Sequence, residues 1–489
     1  MGSIVTRFSE ADSFLSGNER DNHERQTPSY APLSSHQMRL LHTNVTRLGL
    51  AATMSVSYAF CQKSTPARPP RMAYIQNKAI RLGVDLNLGG SITYLAPAGH
   101  PEANVVNSAD LGRQIQLSFY SGPVPYHPVD AVISDAWKEL GWNPIQSGDY
   151  YGNPSKILQS RIGGNRIYIK CIPMHWPLKN IPGECTYEVW LELVGNTVRA
   201  HCRLTNKRDD MAQYSARGQE LPAVYVNALY YHLITYSGDD PFANRPLTEI
   251  HNRLDIEHRW ATWLATENWA AQVDDQNWGL GIWNPGAFRF SGGFFSQPGK
   301  GGPLDSPTGY IAPNRTEILD HDIVYDFNYV LILGNLEEIR GFVYRQAKPH
   351  RLAAWRFGHS REGWSYENAT DSGWPIRGTL NFKVGDQTVY FNSPEFAAHA
   401  SDIRSLAIEA AIEGPLDQIS LDWKCNSESG YDPSHRILAR VLGDGKYRTY
   451  RFPFTETNPG GLLSQIRFAF STRSHDMATI HIRSVRLER

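Results

Sequence analysis

Four stretches carry the side chains best suited to chemistry. Glu220 lies in 217–222, RGQELP, directly before a long apolar run. A carboxyl at the mouth of a buried strand is costly unless it is paired. Desolvation also raises its pKa toward values useful in general acid or base catalysis. A salt bridge from Arg217 or Arg113 is the competing reading. Asp110 and Glu317 are the carboxyls expected to work with it, and Gln219 beside it is expected to contact a ligand. The second stretch runs from Asn107 to Tyr120. On a strand, Arg113 and Ile115 share one face while Gln114, Gln116 and Tyr120 share the other. A row of guanidinium, amide and phenol groups suits a polyhydroxylated ligand; an edge strand with a solvated polar face is the bland alternative.

Trp269 anchors the third stretch. With Trp263, Trp278 and Trp283 it makes a local concentration of indoles. An exposed indole stacks on a sugar ring and a buried one fills a core, and strand alternation sends about half inward. In the fourth stretch Glu317, Asp320, His321 and Asp322 put carboxylates beside an imidazole. Such a group serves proton transfer or holds a hard cation, with His321 also a candidate ligand contact, or it is a turn whose acids face water. The glycines of 292–302 before it read as a flap. His232, His251 and His258 read as structural.

These residues need a β framework. From about 74 to 334, within a first domain of 74–350, short runs alternate apolar with polar residues, the period-two mark of strands with one wet face. The run 223–235 is continuously apolar and reads as a central strand. Leu336, Ile339, Phe342 and Val343 recur at helical spacing, with acids in the first turn and Arg345 near the end. A second series of strands fills 351–489. The fold class is therefore all-β: a large antiparallel β-supersandwich, a short helix, and a smaller β-sandwich jelly roll.

The first 73 residues differ. Residues 1–37 are polar and aperiodic and read as disordered or a mis-assigned start. The segment 38–73 pairs a basic flank with the apolar run LGLAATMSVSYAF at 48–60 and a Pro-rich linker. This is the pattern of a signal peptide, too short to span a bilayer. A secreted or extracytoplasmic location follows, and Cys61 just beyond the run raises a lipid-anchor reading. Cys171, Cys185, Cys202 and Cys425 show no C-x-x-C spacing, so no metal is expected, and one disulfide or buried thiols fit equally. The sequons at Asn44, Asn314 and Asn368 fit exposed loops.

Composition narrows the partners. Lys+Arg 48 against Asp+Glu 49 argues against nucleic acid, and a mean hydropathy of -0.43 against an integral membrane span. Phosphate-loop, dinucleotide and G-x-S-x-G motifs are absent, so no cofactor is expected. The last unit opens with Trp355-Arg-Phe357, the Glu362-Gly363-Trp364 turn and Gly378 before a strand. It resembles the jelly-roll carbohydrate-binding modules of secreted polysaccharide-degrading enzymes. The first unit, by its length, its Gly89-Gly90-Ser91-Ile92 opening and its Arg/Gln/aromatic strand, resembles the β-supersandwich of the galactose mutarotase-like group. That resemblance implies a sugar cleft on a concave sheet and carries over no catalytic residue. The reading is an exported carbohydrate-active protein acting on a poly- or oligosaccharide, foremost a glycoside hydrolase. The alternatives are a lyase or epimerase, in which Tyr120 or His321 joins one carboxylate, and a non-catalytic glycan-binding protein.

Overall fold

Alternation builds the first pair of sheets. The strands Arg166–Ile172, Cys185–Val194 and Thr197–Asn206 bury every second residue, as a pleated strand with one covered face must. Ile169, Val189 and Cys202 from that side meet Leu117, Val226 and Ile311 of a facing sheet in one core. The computed structural model describes residues 69–252, 260–347, 351–454, 460–472 and 476–489, all within one compact body, 51–489, that holds both sandwiches. The stretch 1–37, the signal-like run and Cys61 lie outside the described residues. Among the described residues the facing sheets hold ten and nine strands, and the expected all-β supersandwich is what forms. In the ten-stranded sheet Ile115–Ser118, Arg217–Asn227, Thr308–Glu317, Arg289–Phe295 and Ala261–Leu264 lie side by side in that order, antiparallel throughout.

The run 223–235 is two strands. Arg217–Asn227 belongs to the ten-stranded sheet and His232–Thr235 to the nine-stranded one. The chain crosses between them at a turn where Asn227 Oδ1 accepts from the Leu229 N–H at 3.2 Å. Both strands are buried, so hydropathy runs unbroken through the crossing.

The helix Leu336–Gln346 forms where its pattern placed it. Asn335 caps it, exchanging hydrogen bonds with Glu338 in a capping box. Ile339, Phe342 and Val343 cover Trp269, Ala271 and Ile332 on the outer face of the nine-stranded sheet. Contact is close because Gly281 has no side chain: a Cβ there would lie 2.5 Å from Ile339 Cγ2.

The second unit is a smaller sandwich of a five- and a six-stranded sheet. Phe382, Ile408 and Ile480 meet Phe391, Leu421 and Phe468 across its core. A buried ionic knot joins it to the first unit. Arg361 bonds Asp320 at 2.5 Å and Asp371 at 2.6 and 2.7 Å, and Gln213 donates to both carboxylates. The four described cysteines are buried free thiols. Asn314 is no exposed loop residue: it is buried within a sheet, donating to Ser291 Oγ at 2.7 Å. Among the described residues no helix is long and apolar enough to cross a membrane.

Candidate functional site

A pairing irregularity shapes the site. In Arg217–Asn227 the register shifts after Glu220 against both neighbouring strands. Leu221 and Val224, three residues apart, both enter the core, which requires an extra residue between them. The shift puts Glu220 and Tyr225 on one outward face, although their offset of five positions would set them on opposite faces of a regular strand. Ser118 and Asn314 flank Glu220 across the strands, and Tyr310 lies opposite Tyr225.

Tyr310 donates from its hydroxyl to Glu220 Oε1 at 2.5 Å. Its ring lies between Tyr225, at 4.8 Å, and Trp260, at 4.9 Å between centroids. Tyr310 is buried, whereas Glu220, Tyr225 and Trp260 are half-buried. Desolvation pushes the Glu220 carboxyl above its usual range, opposed by hydrogen bonds from Tyr310, Tyr120 and Ser118. Burial and the Glu220 charge raise the phenols of Tyr120, Tyr225 and Tyr310. Those phenols remain protonated donors near neutrality. No described lysine, arginine or histidine forms an ion pair with Glu220. Arg217 instead spends its guanidinium on the carbonyls of Ser121 and Leu140, at 3.2 and 2.6 Å, over the Tyr120 ring.

Asp110 and Arg113 border this face, since both influence the Tyr225 phenol electrostatically. They pair with each other at 3.1 Å, and Arg113 also reaches the Ser306 carbonyl. The glycine-rich stretch reads differently in three dimensions. Gly292 and Gly293 lie within the strand Arg289–Phe295, and the loop beyond it is tied back by Asn107, which donates to the carbonyls of Asp305 and Pro307.

Other predicted site residues lie elsewhere or are already engaged. Gln116 is buried; its oxygen accepts from Ser147 N–H and Oγ and its amide donates to Leu111. Gln219 clamps the backbone of Tyr120, accepting at 2.7 Å and donating at 2.8 Å. Gln219 is thus consumed in holding Tyr120, and Gln116 in holding Ser147 and Leu111. Trp269 is fully buried beneath the helix and donates to Glu267 at 3.0 Å, so it is a core residue and no stacking platform. His321 lies in the turn after Thr308–Glu317, 3.7 Å from Asp322.

Glu317 is not brought to Glu220. Three residues of regular pairing separate it from Asn314, which stands opposite Glu220, so it projects from the other face. There it accepts from Tyr325 of the nine-stranded sheet at 2.9 Å and pairs with Arg315 at 3.0 Å. It lines a separate cavity between the two units. Sequence reasoning passed over Tyr310, Trp260 and Ser118. The spacing of Tyr310 and Ala312 matches that of Ala223 and Tyr225, but only the strand register joins the two pairs.

No family model matches the sequence, and no curated protein does either. Among solved structures the chain is similar to a galactose mutarotase-like protein from Lactobacillus casei, at 12% identity and TM-score 0.35, covering 54% of this chain and 99% of that one. It is similar to a galactose mutarotase related enzyme from Lactobacillus acidophilus, at 13% identity and TM-score 0.35, covering 55% and 99%. A low affinity xylan binding module from Roseburia intestinalis is similar at 13% identity and TM-score 0.20, covering 28% and 95%. The resemblance is to galactose mutarotase-like proteins and a carbohydrate-binding module in architecture, and it carries no residue across.

Proposed function

We propose that the outward face around Glu220 binds a sugar ring and that Glu220 and its neighbouring phenols move a proton on it, as in an epimerase acting at the anomeric centre. The observation that carries this reading is the 2.5 Å hydrogen bond from Tyr310 to a half-buried carboxyl without a described cationic partner. The carboxylate would take the proton of the anomeric hydroxyl while a phenol protonates the ring oxygen. The ring C–O bond opens to a carbonyl, and reclosure from the other face inverts the centre. Trp260 and Tyr225 offer the apolar surface on which a pyranose stacks.

Two-carboxylate hydrolysis has weaker support. Asp110 is neutralised by Arg113 and Glu317 faces away, so a second free carboxyl opposite Glu220 is wanting among the described residues. Capture of glycan without turnover is the remaining alternative. Interconversion of sugar anomers, followed by NMR across a panel of aldoses and oligosaccharides, separates the three. Faster interconversion by the parent and its loss in Glu220→Gln is the expected result. Release of new reducing ends would favour hydrolysis, and binding without either reaction would favour capture. Export directed by the run at 48–60 belongs to the same reading and is tested by fractionating expressing cells.

A further inference from the structure

Of the indoles that open the jelly roll, Trp364 is buried in its core and Trp355 nearly so, as is Trp423 further along the chain, whereas Trp374 is partly exposed. The aromatic surface is at the junction. A cavity of about 940 Å³ separates the two units, with Trp283 on one side and Trp355 and Trp374 on the other. Clefts of this size between domains are common ligand sites, and this one sets aromatic side chains among many polar ones.

The polar groups there come from both units. Arg315 and Glu317 project from the end of Thr308–Glu317, and the Arg315 Nε has no hydrogen-bond partner. Gly286 of the first unit and Gly363 of the second leave space for its guanidinium: a Cβ would lie 2.9 and 3.3 Å from its two terminal nitrogens. From the jelly roll comes Glu362, held in the left-handed region at φ 50, where non-glycine residues are uncommon. The neighbouring Arg361 is locked in the ionic knot, so the turn is fixed in place. Glu362 Oε2 accepts from the Arg356 N–H at 3.2 Å. Arg289 and Glu395 pair across the same junction at 3.3 Å.

We propose that this cavity is a second saccharide site, built jointly by the two units, and that it takes a neutral oligosaccharide. Its cations stand beside carboxylates, which suits hydroxyl groups that both donate and accept and gives a polyanion little net attraction. The partly exposed Arg315 guanidinium and the carboxylates beside it can engage adjacent hydroxyls while an indole covers the ring face. A ligand lodged there contacts both units and ties them together. The inference uses no residue of the Glu220 face, so the two readings stand or fall separately.

The test titrates short neutral oligosaccharides of glucose, xylose, mannose and galactose into the full chain, read by tryptophan fluorescence and melting temperature. At least one should bind, and in the parent and in a Glu220→Gln background alike the affinity should be about tenfold weaker once Glu362→Gln or Trp283→Ala is introduced. Glu362→Gln is decisive should Trp283→Ala fold poorly, because Glu362 lies on a turn outside the cores. Binding unaltered in Glu362→Gln, binding lost only in Glu220→Gln, or no binding by any member of the panel would each overturn the proposal.

Discussion

Two carboxyls in the large sandwich are driven in opposite directions by their surroundings. Burial raises Glu220. Burial also opposes ionisation of Glu184, but hydrogen bonds from His175 and Tyr126 and the His175 charge outweigh it and hold that carboxyl at about 2. A raised carboxyl favours the folded state fully below the unfolded value of about 4, and the advantage is lost as pH rises through the folded value. Glu220→Gln should therefore melt higher than the parent near neutrality and alike in acid, while its sugar turnover falls by about a hundredfold or more; a variant less stable at neutral pH would show that desolvation does not dominate. Glu184→Gln has the opposite sign. Its loss of stability should be full above about pH 4 and shrink toward about pH 2, which thermal melts over that range measure. Tyr310→Phe removes a bond that favours the ionised carboxyl, so the limb of the pH–rate profile set by Glu220 should move to higher pH.

Element geometry decides which of these residues meet. The register shift in Arg217–Asn227 is what turns Glu220 and Tyr225 to one side. The sequence shows Glu220 before a proline and an apolar strand, enough to single it out, yet it shows no partner strand. Gln116 and Gln219 have the right chemistry for a sugar contact and are engaged by the backbone and by Ser147. Trp269 alternates like an exposed residue until the helix is laid over it. Trp269→Ala should cost about 3–5 kcal/mol in chemical denaturation and leave sugar affinity intact. Gly281→Ala should cost about 1–3 kcal/mol by pushing Ile339 and the helix off the sheet; an unchanged denaturation midpoint would show that the helix yields freely.

At the scale of the molecule, the ionic knot fastens one sandwich to the other. Arg361 neutralises Asp320 and Asp371 where all three side chains are almost wholly buried. Removing the cation leaves two carboxylates facing each other without water, a larger penalty than the pair's own attraction suggests. Arg361→Ala is expected to lose about 3–5 kcal/mol and to make the chain more sensitive to limited proteolysis. A single transition and a cleavage pattern like the parent's would argue that the apolar contacts alone hold the units together.

Period-two hydropathy and one helical stripe determined the all-β class, the placement of Leu336–Gln346 and the succession of two sandwiches, because those features depend on neighbours a few residues apart. That the Glu220 carboxyl stands partly desolvated was legible for the same reason: burial cost is local to a strand and its flanks. Its surroundings were not. Tyr310 lies 90 residues away, the Glu317 carboxyl turned out to face the other side, and the cavity at the junction draws its groups from two cores. Strand register, a single shifted pairing and the docking of two folded units decided those, and each is set by contacts between segments far apart in the chain.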